Sequence, residues 1–343
     1  MKVLVAPDKF KGSLTAVQAA RHIARGVLAA HPGAEIIRHP IADGGEGTVD
    51  AVVAAGFQRR AVTVSGPLGE PVRAAFGLRG DVAVVELAQA CGSQLLQEPE
   101  PMRSTSHGGG ELLRAAVEAG ARRVVLGVGG VACTDGGRGM LESLGARFTG
   151  DAVDLDAVRP IDVVLASDVD NPLLGPDGAA RVYSPQKGAT PAQVEELEAR
   201  LTRLADLAQA RDLAQAPGAG AAGGVAFGAM LGLGARRRPG FEVIADLCGL
   251  PGELATVDVV VTGEGRLDGQ SLRGKAPVAL ARMAVQRGLV VIALCGSCRL
   301  SAEQLAAAGI SRAVDLASVE PDHTVRMRDA GALLERLASV ILA

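Results

Sequence analysis

The sequence has few aromatic residues, with no Trp, one Tyr and six Phe among 343 residues. A chain of this length suggests about two domains, and it can bury enough surface to fold without a stabilising metal ion or disulfide bond. Because apolar residues still make up 48% of the chain, the core must consist mainly of Ala, Val and Leu.

The sequence also lacks clustered cations and long apolar runs. Its formal net charge is −3, with neither a basic tail nor an acidic run. The sequence therefore lacks the cluster of cationic side chains that binds nucleic acids or anionic membranes. The apolar runs at 257–261 and 289–294 stop short of the ~20 residues that span a bilayer. No cationic leader precedes the strand-like residues 2–6. We therefore expect a cytoplasmic protein with no nucleic-acid partner and no membrane association.

Lysine is scarce as well. Of the 35 cationic side chains, 30 are Arg and five are Lys, namely Lys2, Lys9, Lys11, Lys187 and Lys275. In a composition that uses Arg wherever any cation suffices, a retained Lys indicates a position that favours a compact ammonium over a planar guanidinium. Four of the five lie in glycine-rich loops, so these loops are candidates for binding an anion.

Cysteine does not indicate a redox or metal centre. Cys295 and Cys298 have the spacing of a redox pair, but no aromatic residue precedes them as in thioredoxin-like sites. The other cysteines supply no second pair at metal-ligand spacing. We interpret Cys295 and Cys298 as a reduced pair without a role in the chemistry.

Strand-like and helix-like segments alternate at both ends of the chain, which is typical of a parallel sheet covered by helices. At the start, a strand at 2–6 precedes a helix at 15–30. The last third has strands at 257–262, 289–294 and 313–316, with helices at 276–287, 302–308 and 325–342. We predict a Rossmann-like parallel-sheet domain built from both chain ends, 1–65 plus 257–343.

The middle of the chain has a different pattern. Strand-like runs at 61–65, 72–78 and 82–87 follow one another without a helix, which indicates antiparallel pairing. We predict that 66–256 form an inserted mixed α/β domain. The expected fold class is thus α/β with two domains.

Four polar or glycine-rich loops follow predicted strands, at 6–13, 40–48, 127–137 and 166–172. In an open α/β fold, ligands bind at the carboxyl ends of strands, where glycines let backbone N–H groups approach an anion. Asp43 and Asp135 each begin an Asp-Gly-Gly sequence in these loops. Their carboxylates would repel a bare phosphate, but they suit a site that holds Mg²⁺ or accepts a proton from an attacking hydroxyl, as phosphoryl transfer requires.

Residues 269–275 have the Gly-x-x-x-x-Gly-Lys spacing of a P-loop. However, Ala276 stands where a P-loop has its Mg²⁺-binding Ser or Thr, and the loop begins well after the predicted strand ends, so it is not a Walker A loop. What remains is a cationic Gly274-Lys275 pair at a helix start, with two carboxylates upstream. We predict that this region lies near phosphates and a metal ion.

Six motifs follow one another along the chain. They are Ala-Pro-Asp-x-Phe-Lys-Gly-Ser from Ala6, Pro-Ile-Ala-Asp-Gly-Gly-Glu-Gly-Thr from Pro40, Asp-Gly-Gly-x-Gly-Met from Asp135, Asp-Val-x-Asn-Pro-Leu from Asp168, Pro-Gln-Lys-Gly-Ala from Pro185 and Thr-Gly-Glu-Gly-x-x-Asp from Thr262. Together they resemble the bacterial glycerate kinase family, of the glycerate 2-kinase type. The resemblance implies ATP-dependent phosphorylation of a small-molecule substrate, D-glycerate, mostly to 2-phosphoglycerate and with Mg²⁺. It also implies that the active site lies in the cleft between the two domains.

The sequence departs from the family pattern in three candidate ligand loops. Lys9 stands where the family usually has Ser, Cys133-Thr134 where it usually has Thr-Asn, and His107 begins a segment where a Gly-Thr pair is common. The alternatives are therefore a kinase of another small hydroxy acid and a catalytically silent small-anion sensor on the same fold.

The resemblance and the loop chemistry together give candidate residues for each role. A carboxylate must accept the hydroxyl proton, and cations must hold carboxylate and phosphate oxygens. The candidates are Asp43 or Asp168 as base, with Lys11 also catalytic; Lys9, Ser13, Asp135, Gln186, Lys187 and His107 for the substrate; Gly263, Gly265, Gly274 and Lys275 for ATP; and Glu264 and Asp268 for Mg²⁺. The identity of the base, the choice of O2 or O3 and the choice of monomer or homodimer stay open. Because aromatic residues are scarce, the adenine base is expected to be held by aliphatic walls and backbone hydrogen bonds.

Overall fold

The computed structural model describes residues 1–158 and 161–342 of the chain. The chain divides into two compact units, each with its own sheet and core. Unit 1 comprises Met1–Asp43, Asp50–Ala55 and Phe241–Ala343, and unit 2 comprises Gly44–Val49 and Gly56–Gly240. The expected position of the active site in a cleft stays a prediction.

Strands and helices alternate along most of the chain. The strands are β1 (Lys2–Pro7), β2 (Glu35–Arg38), β3 (Gln58–Ser65), β4 (Pro71–Arg79), β5 (Val82–Glu86), β6 (Arg123–Gly127), β7 (Arg147–Phe148), β8 (Val153–Asp154), β9 (Asp162–Ala166), β10 (Arg236–Arg238), β11 (Val259–Leu267), β12 (Val290–Cys298) and β13 (Arg312–Asp315). The helices are α1 (Ala16–Ala30), α2 (Thr48–Ala54), α3 (Ala88–Cys91), α4 (His107–Glu118), α5 (Arg138–Ser143), α6 (Ala179–Tyr183), α7 (Pro191–Leu207), α8 (Arg211–Ala214), α9 (Val225–Leu233), α10 (Gly240–Cys248), α11 (Leu250–Leu254), α12 (Ala276–Val285), α13 (Ala302–Ala307), α14 (His323–Arg328) and α15 (Ala330–Ala338). Among the described residues, no helix is both long and apolar enough to cross a membrane.

Unit 1 contains a five-stranded, entirely parallel sheet in the order β13-β12-β11-β1-β2. Strands from the two ends of the chain meet at its centre, where residues 3–7 of β1 pair with residues 259–263 of β11. Side chains of β1 alternate between two cores, with Leu4 in one and Val5 in the other. Because this strand is buried on both faces, it is apolar at nearly every position.

The helix that follows β1 begins at a cap encoded in the sequence. The Gln18 N–H donates to the Thr15 hydroxyl, and the Gln18 side-chain oxygen accepts from the Thr15 N–H. This capping box satisfies N–H groups that would otherwise lack partners at the start of α1. α1 then packs against α15, and Gly26 permits the close approach, because a Cβ there would lie 2.2 Å from the Glu335 carbonyl oxygen.

The strand order of unit 1 changes direction at β1. From β1 the chain continues to β2 on one side, whereas β11, β12 and β13 extend the sheet on the other side. In open α/β sheets, ligands bind outside the carboxyl ends of the strands at such a reversal. The fold therefore positions a site at the residues that follow β1 and at the C-terminal half of β11.

Unit 2 contains a six-stranded mixed sheet in the order β10-β9-β6-β5-β4-β3. β10, β9, β6 and β5 are parallel, whereas β3, β4 and β5 pair in antiparallel fashion. The core includes Leu87, Leu112, Leu126 and Leu165, all fully buried. The predicted fold class, a parallel sheet from both chain ends and an inserted mixed α/β region, is confirmed.

The predicted limits of the two domains differ from those of the units. β3 pairs with β4 along its whole length, so it belongs to unit 2 although 58–65 falls in the predicted first domain. Conversely, Phe241 and Leu250, on α10 and α11, pack in a core of unit 1 although they precede residue 257. A segment belongs to the sheet or core that buries it, and spacing along the chain does not reveal that partner.

β11 and β12 extend farther than their apolar runs predict. β11 continues past the predicted end at Thr262 to Leu267, and β12 continues to Cys298. Gly263 and Glu264 therefore lie on a strand and not in a loop. Strand ends of this kind escape prediction because they lack a run or alternation of apolar residues.

We expect Gly263→Ala to destabilise unit 1. A Cβ at Gly263 would lie 1.8 Å from the Leu294 carbonyl oxygen of β12, and closely packed backbone at a sheet centre cannot move aside cheaply. The free energy of unfolding, measured by urea denaturation, should fall by about 3 kcal/mol, as for overpacked core substitutions. Gly269→Ala is the matched control, because nothing lies within 4 Å of a Cβ there. Equal losses in the two variants would contradict this explanation.

Candidate functional site

Asp8 stands directly after β1, at the reversal of strand order in unit 1. Its N–H donates to the Gly263 carbonyl oxygen at 2.8 Å, which continues the pairing of β1 with β11. Its carboxylate Oδ1 accepts the Lys9 N–H at 2.6 Å, and the Lys9 ammonium lies 3.9 Å from the same oxygen. Only 7% of Asp8 is exposed. The fold thus holds a carboxylate, largely out of water, at the end of its central strand.

Two further carboxylates lie near Asp8 in unit 1. Burial raises the pKa of Asp8 to about 7, the Lys9 ammonium lowers it, and the charges of Asp43 and Glu264 raise it. A buried carboxylate loses its hydration, and neighbouring anions oppose its ionisation further. Asp8, Asp43 and Glu264, from three segments of the chain, are therefore within electrostatic range of one another. The structure brings together the predicted Lys9, Asp43 and Glu264.

Glu264 on β11 is buried, with 5% exposed. Its Oε1 accepts the Ser271 hydroxyl at 2.5 Å, and its Oε2 lies 3.4 Å from the Lys275 ammonium. Burial raises the pKa of Glu264, while the Ser271 hydrogen bond and the Lys275 charge lower it. The residue predicted for the metal and the lysine predicted for phosphates are therefore neighbours. The Lys275 side chain remains 36% exposed, as contact with a ligand requires.

The turn before α12 presents Lys275. Gly274 has a φ of +106°, a left-handed conformation that other residues rarely adopt, and Lys275 follows as the N-cap of α12. Asp268, earlier in the turn, accepts the Gln270 N–H at 2.9 Å and lies 3.3 Å from the Arg266 guanidinium. Asp268 thus shapes the turn that carries Lys275.

Close packing gives a structural reason for Gly263 and Gly265. Gly263 faces the backbone of β12, and a Cβ at Gly265 would lie 3.1 Å from the backbone nitrogen of Lys11 in the loop after β1. Their part in ATP binding stays a prediction.

The loop after β1 also contains two of the predicted residues, Lys11 and Ser13. Lys11 is exposed, and the Ser13 hydroxyl donates to the Phe10 carbonyl oxygen at 3.0 Å, which closes the turn.

Asp135 in unit 2 accepts hydrogen bonds from the starts of two helices. Its Oδ2 accepts from the Ser106 N–H and hydroxyl at 2.8 Å, the Gly139 N–H at 3.3 Å and the Thr105 hydroxyl at 3.4 Å, and its Oδ1 accepts from the Gly137 N–H at 3.1 Å. A carboxylate at helix N-termini is also favoured by the helix dipoles. The structure therefore gives Asp135 the role of positioning α4 and α5.

Lys187 is a cation that unit 2 holds beside Cys133 and Thr134. Its ammonium donates to the Cys133 carbonyl oxygen at 2.5 Å and to the Thr134 hydroxyl at 3.4 Å. Burial lowers the pKa of Lys187, whereas Cys133 and Asp135 raise it. Lys187 and the exposed Gln186 line a cavity of about 230 Å³. An ammonium has three donors, so Lys187 retains the capacity to bind an anionic group.

Asp168 and His107 make contacts of their own in unit 2. The Asp168 Oδ1 accepts the Gly240 N–H at 3.0 Å, at the first residue of α10. His107 begins α4, is 41% exposed, and lies 3.5 Å from the Glu111 carboxylate one turn later. Asp168 therefore accepts a hydrogen bond from the backbone at the start of α10, and His107 lies beside the Glu111 carboxylate of its own helix.

A second cavity in unit 2, of about 440 Å³, lies beside the Asp-Gly-Gly sequence of Asp135. Thr134 and Asp135 line one side, and Leu197, Leu201 and Leu204 of α7 line another. Its volume is in the range of small-molecule sites. The arginines that line it are paired with glutamates, so part of their charge is already offset before an anion binds.

Three residues outside the predicted set make central contacts, namely Asp8, Ser271 and Ser106. The sequence could have indicated Asp8 as a site residue, because Asp8 directly follows the first apolar strand in the same loop as Lys9 and Lys11. No pattern in the sequence indicates Ser271 or Ser106. A serine hydroxyl forms hydrogen bonds in many settings, and its partners Glu264 and Asp135 are set by the tertiary fold.

The acidic residues of unit 1 fit a metal that is shared with a ligand. Among the described residues, no group of three or more His, Cys, Asp and Glu side chains could hold a metal ion. Mg²⁺ keeps several waters and commonly binds through one or two carboxylates plus substrate phosphates. Glu264 supplies hard carboxylate oxygens beside Lys275, and Asp268 is close enough to Glu264 for its charge to act on that residue. This donor set therefore suits Mg²⁺ carried in with a polyphosphate.

The chain is similar along nearly its whole length to known proteins. A model of the glycerate kinase family matches residues 3–343. The chain is 38% identical to a glycerate kinase of Halalkalibacterium halodurans, over 98% of this chain and 96% of that one. It is 39% identical to the glycerate 2-kinase of Escherichia coli K12, over 87% and 85%. A solved structure from Salmonella typhimurium LT2, described as glycerate kinase 2, has a TM-score of 0.81 at 36% identity and covers 99% of this chain and 96% of that one.

We expect Asp135→Ala to destabilise unit 2, because it leaves the N–H groups of Ser106, Gly137 and Gly139 without their acceptor. A hydrogen bond to a charged group contributes about 1.5–3 kcal/mol, so the free energy of unfolding should fall by at least about 3 kcal/mol in denaturant titration. Asp151→Ala, at an exposed position between β7 and β8, is the control. A loss no larger than that of the control would show that Asp135 does not position the two helices.

Proposed function

The chain belongs to the glycerate kinase family and is a kinase, and we propose that it transfers the γ-phosphoryl group of ATP to O2 of D-glycerate. The products are 2-phosphoglycerate and ADP. The observation that carries this proposal is the group formed by Asp8, Lys9, Asp43, Glu264 and Lys275 in unit 1. Transfer of a phosphoryl group to an anionic acceptor needs cations that offset charge and a carboxylate that takes a proton. This group supplies both.

We assign the phosphates of ATP to Lys275 and the metal to Glu264 and Asp268. Mg²⁺, when bound with ATP, would supply charge neutralisation at the β- and γ-phosphate oxygens. Lys275 supports this assignment because its ammonium is partly exposed and is held beside Glu264 at 3.4 Å. The left-handed Gly274 lets the backbone turn where a side chain would be strained.

D-Glycerate offers a carboxylate for recognition and a hydroxyl for reaction. Lys9 and Lys11, in the loop after β1, are candidates for the carboxylate in unit 1, and Lys187 is the corresponding candidate in unit 2. Binding by one or more of these cations would orient the hydroxyl towards the γ-phosphorus. Charge neutralisation and in-line positioning account for most of the rate acceleration in reactions of this class.

We also propose that the enzyme works in the cytoplasm without a nucleic-acid partner, as a monomer or homodimer. A net charge of −3 without clustered cations supports the absence of a nucleic-acid partner. The use of ATP on a small charged acid supports the location.

Phosphorus NMR of a reaction with ATP, Mg²⁺ and D-glycerate tests both the activity and the acceptor oxygen. Transfer to O2 places phosphorus next to a carbon with one hydrogen and gives a doublet, whereas transfer to O3 places it next to a carbon with two hydrogens and gives a triplet. We expect the doublet. A triplet would change the product to 3-phosphoglycerate, and intact ATP without either signal would refute phosphorylation of glycerate.

Lys275→Met should weaken ATP binding selectively. Loss of a charge-assisted contact of about 2 kcal/mol corresponds to an increase of about 30-fold in the KM for ATP, with the KM for D-glycerate nearly unchanged. Steady-state kinetics with each substrate varied in turn measures both. Lys2→Met is the control, because Lys2 forms an ordinary surface ion pair with Glu35 at 2.8 Å. Equal increases for both substrates would argue against the assignment of Lys275.

A further inference from the structure

We propose that Asp8 is the catalytic residue that accepts the proton of the glycerate hydroxyl during phosphoryl transfer. The inference rests on the proposed function and deepens it, because the sequence leaves the base open between Asp43 and Asp168. Three observations support Asp8: its position on the sheet, the use of its carboxylate oxygens and the charges that face it.

The position of Asp8 is fixed by the central strand pair of unit 1. Asp8 is the first residue after β1, and its N–H donates to the Gly263 carbonyl oxygen at 2.8 Å, so its backbone is still tied to β11. Asp43, in contrast, lies in the loop between β2 and α2. A general base must stay within hydrogen-bond reach of the proton that it takes, and sites at the ends of regular elements are held more accurately than sites on loops.

The carboxylate oxygens of Asp8 are used unequally. Oδ1 accepts the Lys9 N–H at 2.6 Å and has the Lys9 ammonium at 3.9 Å. Both of these contacts are made by Oδ1. Asp168 likewise accepts one backbone N–H on Oδ1, from Gly240, whereas Asp135 accepts hydrogen bonds on both oxygens. Asp8 is thus a buried carboxylate that Lys9 orients through Oδ1, and we assign Oδ2 to the substrate hydroxyl.

The charges that face Asp8 keep it basic. Lys9 favours the ionised form, whereas burial and the charges of Asp43 and Glu264 favour the protonated form, and together they place the pKa of Asp8 at about 7. A base with a pKa near the working pH is ionised in a large fraction of molecules and still binds a proton strongly enough to take it from a hydroxyl. The electrostatic environment therefore agrees with the geometry.

In the proposed step, the hydroxyl oxygen of glycerate forms a bond to the γ-phosphorus of ATP. The bond from that phosphorus to the bridging oxygen breaks, and its electron pair leaves with ADP. The hydroxyl proton passes to Oδ2 of Asp8, which returns it to water before the next turnover. Lys9 stays on Oδ1 and keeps the carboxylate oriented.

The test is steady-state kinetics of Asp8→Asn, which keeps the shape of the side chain and removes its basicity. We expect kcat to fall about 10²- to 10⁴-fold, the range for loss of a general acid or base, while both KM values change less than about threefold. Wild-type kcat/KM, which reports ionisation of the free enzyme, should fall about tenfold per pH unit below a pH of about 7, because the protonated acid cannot take a proton. The residual activity of Asp8→Asn should lack this dependence, whereas Asp8→Glu should retain it at reduced kcat.

Thermal unfolding at pH 8 shows whether the variant is folded. Folding raises the pKa of Asp8 to about 7 from an ordinary 3.8, so its contribution to stability is present at low pH and is lost as the pH rises through about 7. At pH 8, Asp8→Asn should therefore unfold at a temperature no lower than that of the wild type. A lower Tm together with lost activity would overturn the inference in favour of a structural role.

Asp43→Asn and Asp168→Asn are the matched comparisons. The inference is overturned if either of them abolishes the pH dependence of kcat/KM while Asp8→Asn keeps it. It is also overturned if excess Mg²⁺ restores kcat in Asp8→Asn, because that result would make Asp8 a metal ligand. A wild-type enzyme that forms no phosphoglycerate would instead refute the proposed function, so the two failures are distinguishable.

Discussion

The parallel pairing of β1 with β11 is the contact on which the arrangement of unit 1 depends. It aligns residues 3–7 with residues 259–263, and the buried Thr262 hydroxyl adds a bond to the Ala6 carbonyl oxygen at 2.8 Å. Side chains alternate along each strand, so a shift of one residue would exchange the two faces of β1 and disrupt both cores. The same alignment pairs Pro7 with Gly263, lets the Asp8 N–H donate to the Gly263 carbonyl oxygen and so brings Asp8 near Glu264. The register of one strand pair thus controls both the packing and the placement of the carboxylates.

The candidate site lowers the stability of the fold that carries it. Asp8 and Glu264 are buried, and burial raises the pKa of each. Apolar side chains at these positions would avoid the loss of hydration of two carboxylates. The cost is offset by the apolar residues of the neighbouring strands, which are almost completely buried on both sides of the sheet. Lys9 and Lys275, each beside one of the acids, offset part of the charge.

Much of the fold could be predicted from the sequence, because it depends on local patterns. The apolar run of β1, the cap at Thr15 and the succession of β3, β4 and β5 without a helix all have signals within a few residues. The limits of the units had no such signal, since they depend on which core buries Phe241 and Leu250. The comparisons confirm the family and the kinase class, whereas the individual site residues stay predictions.

The candidate site was less predictable than the fold. The motifs drew attention to Asp135 as a substrate residue, but its hydrogen bonds to Thr105, Ser106, Gly137 and Gly139 became evident only from the folded chain. Spacing cannot show that a carboxylate is already surrounded by donors. Asp8 could in principle have been predicted as a site residue, because the residue after the first strand of an open sheet lies where ligands bind.

The discontinuity of unit 1 also determines when that unit can form during synthesis. At ~5–20 residues per second, β11 follows β1 from the ribosome after roughly 10–50 seconds. Unit 2 lies mostly within 56–240 and can be complete in that interval, whereas β1 and α1 must wait for their central partner. A nascent chain that stops before residue 259 would keep Asp8 and lack Glu264 and Lys275. Translation must therefore approach its end before the edge of unit 1 that carries Asp8, Glu264 and Lys275 can form.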